Sequence, residues 1–339
     1  MKFITCASYY GTGSSAVTDL INECDNVHDM GDYEFRFIQD PDGIRDLEYN
    51  LVENNHRHNS GYALRRYLQN VKFLNGSRAI KKYNRYFGKQ WKILSGLYVK
   101  NLTAVEYKGT WHQELRDKGR VAYFIERTIN KIAHVVFRVN RDKNIQLYLK
   151  NNIELASFPQ DDFYTITKKY IEDLFAYANT DNKEFIMADQ LVPASNTMQY
   201  VKYFNDIKVI CVDRDPRDLY ILEKAVWHGT IVPKNVKDFC LWYKATRAHK
   251  KFEQDDLNRV MRINFEDMIY NYEVMSEKIL DFCNIARENH IKPKTLFNPE
   301  KSIKNTQVFK KFTKYADDVK YIEEELKDYL YDFKEVERQ

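Results

Sequence analysis

Near the start of the chain, an apolar run from Lys2 to Ala7 passes through Ser8-Tyr9-Tyr10-Gly11-Thr12-Gly13-Ser14-Ser15 into an amphipathic stretch ending at Ile21. Strand, glycine turn and helix start in that order make an anion cradle. Gly11 and Gly13 let the backbone turn tightly, Ser14 and Ser15 offer hydroxyls, and the free N–H groups of the new helix carry the positive end of its dipole. The same segment also reads as an ordinary βα turn with Ser14 as N-cap. A second basic element lies two hundred residues on, where Lys208 to Val212 runs into Asp213-Arg214-Asp215-Pro216-Arg217-Asp218. Arg214, at the end of an expected strand, can fork onto a phosphate, and Pro216 suits the first turn of a following helix. The alternative for these residues is a local cluster of Arg/Asp ion pairs.

Groups able to move a proton sit earlier. In the expected strand Tyr33 to Ile38, alternation puts Glu34, Arg36 and Ile38 on one face, so that a carboxylate and a guanidinium can meet. The alternative is an exposed ion pair of little consequence. His28, and His56 with His58 in Glu53-Asn54-Asn55-His56-Arg57-His58-Asn59, are further candidate bases, because unperturbed imidazole titrates near neutrality. The His-x-His spacing has no third ligand in view, so no metal is expected.

The elements that must position these groups follow a βα alternation. Short apolar runs mark parallel strands at Lys2 to Ala7, Tyr33 to Ile38, Phe185 to Ala188, Lys208 to Val212 and Arg259 to Ile263. Between the second and third, Leu47 to Tyr177 has a period near 3.6 in segments such as Gly61 to Leu74 and Arg120 to Val136, with a hairpin expected around Ile145 to Leu155. This reads as a helical insertion (47–177) above the carboxyl ends of the strands, where open α/β sheets bind ligands, and so as the acceptor side of one domain spanning 1–339. Asp317 to Gln339 reads as a solvated helix docking one face through Val319, Ile322, Leu326 and Leu330.

Composition sets outer bounds. The 339 residues are 44% hydrophobic and 30% charged, as in a globular protein, and Gly 11 with Pro 7 is too little for a linker-rich chain. A net charge of +4 gives no reason to expect nucleic acid as a partner, so any anion site must be local. Cys6, Cys24, Cys211, Cys240 and Cys283 are odd in number and never form a Cys-x-x-Cys pair; reduced core thiols are expected. No signal peptide and no membrane span are expected, and the cytoplasm is the default compartment.

Taken together, the glycine turn and Asp213-Arg214-Asp215-Pro216 resemble the nucleotide-binding signatures of the sulfotransferase family, in which a strand ends in Arg-Asp/Asn-Pro. The run Arg262-Ile263-Asn264-Phe265-Glu266-Asp267, followed by a helix from Tyr272 to Ile285, is similar to that family's strand, Glu-Asp and helix. Ser302-Ile303-Lys304-Asn305-Thr306 lies where such proteins carry a basic loop over the nucleotide. Tyr33-Glu34-Phe35-Arg36-Phe37 resembles the Glu-x-His/Arg-Phe-Phe strand of the carbohydrate-directed branch, in which the glutamate is the base.

The resemblance implies an α/β fold with a five-stranded parallel sheet flanked by helices, of the P-loop-like sulfotransferase type. It implies a sulfonate moved from 3′-phosphoadenosine 5′-phosphosulfate to a hydroxyl of a carbohydrate acceptor, as in polysaccharide biosynthesis. The donor would be held by Gly11, Thr12, Gly13, Ser14, Ser15, Arg214, Lys304 and Asn305, and Glu34, Arg36 and His56 would do the chemistry. Gly11 stands where the family has a lysine or arginine and Leu222 where it has a serine; Lys304, Lys310 and Arg36 are candidates for the displaced charge. The rival readings are a P-loop-like kinase or NTPase, with Asp189 as the acidic residue at the end of its strand, and a noncatalytic nucleotide- or glycan-binding relative. For the kinase, Ser14 stands where the Walker lysine belongs.

Overall fold

A computed structural model describes residues 1–76, 82–109, 113–136, 151–156 and 160–333. Among the described residues there are seven strands: β1 (Lys2–Ser8), β2 (Val27–Glu34), β3 (Val105–Gly109), β4 (Asn151–Leu155), β5 (Phe185–Asp189), β6 (Ile207–Asp213) and β7 (Val260–Asn264). Five of them form a parallel sheet in the order β2-β5-β1-β6-β7. The expected α/β architecture with a five-stranded parallel sheet flanked by helices is thus present.

The period of two along each strand sorts the core into two layers. Phe3, Ala7, Ile186, Ala188, Val209 and Cys211 face one apolar cluster, and Ile4, Cys6, Phe185, Met187, Ile210 and Val212 face the other. Helix α1 (Ser15–Asn22) and the helix Tyr272–Cys283 cover the second face; helices Ser60–Gly76, Lys82–Phe87, Gln90–Leu102 and Gln160–Ala178 cover the first. All five cysteines are free and buried, as core thiols should be.

The second strand differs from its expected place. It runs Val27–Glu34, and Phe35, Phe37 and Ile38 leave it to bury in the helical layer, where Phe35 and Phe37 meet Tyr83, Phe87 and Trp91 edge-on. Phe37 donates its backbone N–H to the Tyr83 hydroxyl instead of to a neighbouring strand. The expected shared face of Glu34, Arg36 and Ile38 therefore does not form: Ile38 is buried while Arg36 turns outward, its carbonyl accepting from the N–H of Asp40 in a tight turn.

Elsewhere in 47–177, Gly61 to Leu74 falls inside the helix Ser60–Gly76 and Arg120 to Val136 inside Gln113–Val136, which kinks at Gly119 (φ 83°). The strand Asn151–Leu155 pairs with Val105–Gly109, antiparallel; residues 145–150 of the expected hairpin lie outside the described residues. Near the C-terminus the helix is Ala316–Glu325, burying Val319 and Ile322, and the end of its expected range, 334–339, also lies outside them. Among the described residues no helix is long and apolar enough to cross a membrane.

Topology fixes where a ligand belongs. From β1 the chain moves toward the β5–β2 side of the sheet, and from β6 it moves to β7 on the other side. The strand order therefore reverses between β1 and β6, and the crevice beyond their carboxyl ends is the switch point at which open α/β sheets take ligands.

Candidate anion and acid-base site

The glycine turn leaves β1 at this crevice. Tyr10, Gly11 and Gly13 all have positive φ (81°, 66° and 89°), a left-handed path that glycine takes at little cost. A Cβ on Gly13 would lie 2.4 Å from Phe265 Cδ2, and one on Gly11 would lie 2.7 Å from Leu219 Cδ1 and 3.2 Å from the Trp227 ring. At Gly13 the ring leaves no room for a side chain; at Gly11 the nearest atom is a leucine methyl that can shift, and it is chiefly the left-handed φ that disfavours a lysine there.

Ser14 is already in helical conformation and makes no side-chain cap, contrary to its expected capping role, so its hydroxyl is not spent on the helix. Among the described residues nothing accepts from the N–H groups of Gly13, Ser14 and Ser15, and no acidic residue lies in the first turn of α1. Those donors and the helix dipole are left for an anion. Thr12 behaves otherwise. Its hydroxyl is fully buried and donates to the Val212 carbonyl at 2.6 Å, so the side chain fastens the turn to β6 and is turned away from any ligand.

Arg214 follows β6, and the turn follows its neighbour β1. The guanidinium donates through Nη1 to the Gly11 carbonyl (3.3 Å) and through Nη2 to the Asn305 carbonyl (2.5 Å), and it lies over the Phe265 ring at 4.3 Å. The residue is only 4% exposed, its Nε has no partner, and among the described residues no carboxylate pairs with it. Burial pulls its pKa below the usual arginine value, against the charges of Glu266, Asp218 and Asp215.

Arg217 is spent on structure instead. Asp215 caps the helix Pro216–Ile221 by accepting from the Arg217 N–H, with Pro216 in the first turn as expected, and binds the Arg217 guanidinium at 2.7 Å; Glu323 takes a further Arg217 nitrogen. Of the two arginines in one short motif, one joins an ion-pair cluster and the other keeps an uncompensated charge in the crevice.

Glu266 stands behind Arg214. One of its oxygens accepts from the Asp215 N–H and the other has no partner. Burial lifts its pKa to about 8, outweighing the attraction of Arg214, so it is largely protonated at neutral pH and gives the guanidinium no full counter-charge. Leu222 is buried in an apolar cluster.

A cavity of about 420 Å³ opens over these groups. It is lined by Gly11, Gly13, Ser14, Ser15, Arg214 and Asn305 together with Ser8, Glu34, Asp189, Tyr10, Trp227 and Phe297. Most of the expected donor-binding residues and one expected catalytic residue are thus brought together.

Besides Thr12, three others are not. Arg36 is half exposed and pairs with Asp40 at 2.8 Å and Glu34 at 3.5 Å, the surface pairing foreseen as its alternative. His56 is exposed in a loop and accepts the His58 N–H at its Nδ1, away from the cavity lining. Lys304 is exposed and contributes nothing to the lining, whereas its neighbour Asn305 does.

Trp227 and Phe265 were not singled out as site residues. Phe265 was legible as the residue ending the Arg262-Ile263-Asn264 strand. Trp227 left no trace in the sequence, because its approach to Gly11 depends on how the segment after Ile221 coils. Asp189, foreseen only for the rival kinase reading, lies in the same cavity as Glu34.

No protein-family model matches the sequence, and no curated protein is similar to it. Several solved structures are similar to it, among them two at low identity. One is the sulfotransferase domain of the Synechococcus PCC 7002 olefin synthase, 11% identical, with 91% of this chain and 87% of that one covered and a TM-score of 0.39. The other is a retinol dehydratase in complex with androsterone and inactive cofactor PAP, 14% identical, with 98% and 82% covered and a TM-score of 0.37.

Proposed function

We propose that this chain is a sulfotransferase of the P-loop-like family that moves a sulfonate from 3′-phosphoadenosine 5′-phosphosulfate to a hydroxyl, with a carbohydrate as the acceptor class. The observation that carries the reading is Arg214: a buried guanidinium without an ion-pair partner, at the switch point of the sheet, against a glycine turn whose amides are also unspent. A buried charge without a counter-ion is costly unless an anion supplies one. Here the cradle is too tight for a Cβ at Gly13 and the arginine Nε is orphaned, which fits a phosphorylated ligand.

Transfer of this kind needs positioning, stabilisation of the charge on the departing phosphate oxygen, and a group to take the acceptor's proton. The amides of Gly13 to Ser15 and Arg214 serve the first two needs, and the carboxylates of Glu34 and Asp189 are at hand for the third. The turn and Arg214 touch each other, and the arginine Nε, which has no partner, is the donor left for a bound phosphate. The chain would work as one domain, the helices of 47–177 lying on the acceptor side, and Tyr10 with Trp227 offer aromatic faces on which a sugar ring can stack.

Calorimetric titration with 3′-phosphoadenosine 5′-phosphate and, separately, with Mg-ATP tests the donor. Metal-independent binding of the former is expected. Arg214→Ala should weaken it by about 10- to 100-fold, as loss of charge-assisted hydrogen bonds does. Binding of Mg-ATP alone would overturn the reading in favour of a kinase or NTPase. Binding of the bisphosphate without transfer of labelled sulfonate to any of a panel of glycans would leave a noncatalytic nucleotide-binding protein.

A further inference from the structure

Asp189 ends β5 in register with Glu34, which ends the adjacent strand β2, and both carboxylates line the cavity beside the glycine turn. Their surroundings differ. The Glu34 side chain is about half exposed (52%) and meets the Arg36 guanidinium at 3.5 Å. The Asp189 Oδ1 is sealed from solvent and has no hydrogen-bond donor. The groups that face Asp189 are Glu34 from β2, Asp19 from α1 and the Cys6 thiol of β1, with the Gln190 amide beside it; among the described residues no lysine or arginine pairs with it. Elsewhere Glu23 accepts four hydrogen bonds, Glu48 is met by Lys202, Arg45 and two tyrosines, and Asp218 holds the amides of residues 307–309. Glu223 and Glu266 also keep oxygens without a partner, but neither lines this cavity. A carboxylate at a cavity wall with one oxygen sealed and unpaired, and with no more than the Gln190 amide beside it, is not accounted for by the hydrogen bonding of the fold.

We infer that Asp189, and not Glu34, is the catalytic residue that takes the acceptor hydroxyl's proton, with Glu34 tuning it through space. The inference rests on the transfer reading above. As the acceptor oxygen bonds to sulfur, the bond from sulfur to the 5′-phosphate oxygen breaks and its electron pair stays on that phosphate. The hydroxyl proton passes to the Asp189 carboxylate and from there through the cavity to solvent. Charge and atoms balance with no further reactant.

The electrostatics agree. Burial, and after it the charge of Glu34, bring Asp189 up to about 7. The group is therefore part ionised at neutral pH, and a base is most effective when its pKa is near the working pH. Turnover should rise with pH through about 7, as Asp189 loses its proton. Removing the Glu34 charge should move that limb to lower pH.

The test follows labelled donor with galactose, N-acetylglucosamine and glucose oligomers as acceptors, and with water as the slow acceptor, from pH 5 to 9. Asp189→Asn is expected to lower turnover by about 100-fold or more and to abolish the limb near pH 7, while its affinity for 3′-phosphoadenosine 5′-phosphate stays within about threefold. Glu34→Gln is expected to shift the limb down and to lower turnover much less than Asp189→Asn does. Loss of turnover in Glu34→Gln with retention in Asp189→Asn would overturn the assignment. A second readout needs no transfer: carboxyl carbon resonances of aspartate-labelled protein, assigned with Asp189→Asn, should show one group titrating near 7 that moves down in Glu34→Gln. Titration of Asp189 only below pH 5 would overturn the inference even if the donor binds. Failure to bind the bisphosphate would sink the donor reading while this titration still decides the state of the carboxyl.

Discussion

At the end of β6, Asp213 is met by Arg247 at 2.7 Å and 3.1 Å, by the Arg214 amide and by the Tyr243 hydroxyl; at the end of β5, on the other side of β1, Asp189 has an oxygen with no partner and a second carboxylate for a neighbour. Burial alone would raise both pKa values. At Asp213 the charge and hydrogen bonds of Arg247 win and hold it below the usual carboxylate range, whereas at Asp189 nothing cationic answers and the value climbs. Two aspartates at equivalent ends of parallel strands are thus put to opposite uses. One closes a structural network, and the other is left poised. The difference teaches that strand ends alone do not make a site; what matters is whether the neighbouring helix supplies a counter-charge.

The largest effect should come from breaking the structural side. Arg247 is wholly buried, stacks on Tyr243 and Tyr9, and is the main counter-ion of Asp213. Arg247→Met keeps most of the packing but strands the carboxylate, which should cost about 3 kcal/mol in urea unfolding, since removing one partner of a buried pair leaves an uncompensated charge. Asp189→Asn measured beside it at pH 8 should show no loss of stability. Equal destabilisation by both changes would erase the distinction between the two strand ends.

A smaller effect should appear behind Arg214, where Glu266 and Asp218 are buried carboxyls with pKa values raised to about 8 and about 6. A carboxyl whose folded value lies above its unfolded value holds its proton longer in the native state. Its contribution to stability is then complete below the unfolded value and is lost as pH rises through the folded one. For Glu266 the window runs from about 4.5 to about 8, and Asp218 adds to the loss between about 3.8 and about 6. Stability should therefore decline across pH 5 to 8, with a slope per group of at most about 1.4 kcal/mol per pH unit. Glu266→Gln should flatten that decline above pH 6. An unchanged slope in the variant would mean that Glu266 is ionised at neutrality and that Arg214 is already neutralised, which would weaken the case for an anion there.

How far the sequence spoke for these features depends on burial. β1, β5 and β6 are covered on both faces and so read as nearly continuous apolar runs, which is why their positions were legible. The edge strand β2 was not. Its own residues include His28, Asp29 and Glu34, while Phe35, Phe37 and Ile38 just after it carry the apolar character that mimics a strand. The pairing of Asn151–Leu155 with Val105–Gly109 spans a distance along the chain that periodicity cannot register. In the site, residue type alone could not separate Arg214 from Arg217. The cap does so: a helix starting at Pro216 needs Asp215 as its N-cap, that carboxylate then captures Arg217, and the arginine before the cap is left facing β1. Asp189 was visible as the last residue of a strand, but its missing partner is a property of the folded neighbours and of no motif.

The smallest effect concerns the glycine turn itself. Thr12 sits between two glycines in a segment whose hydroxyls resemble ligands, yet its own hydroxyl points into the protein and joins the turn to the last carbonyl but one of β6. Ser14 and Ser15, one turn on, keep theirs at the cavity wall. Thr12→Val preserves the shape and removes one buried hydrogen bond, leaving the Val212 carbonyl without that donor; the expected cost is about 1 kcal/mol of stability. Affinity for the bisphosphate should hardly change, because the backbone amides that face the cavity are untouched. Ser14→Ala should do the converse, sparing stability, since Ser14 caps nothing, and weakening the bisphosphate. If instead Thr12→Val lost the ligand and kept its stability, the hydroxyl must swing outward on binding, and the turn would belong with Asp189 among the parts held ready for chemistry, not with Asp213 among those already satisfied.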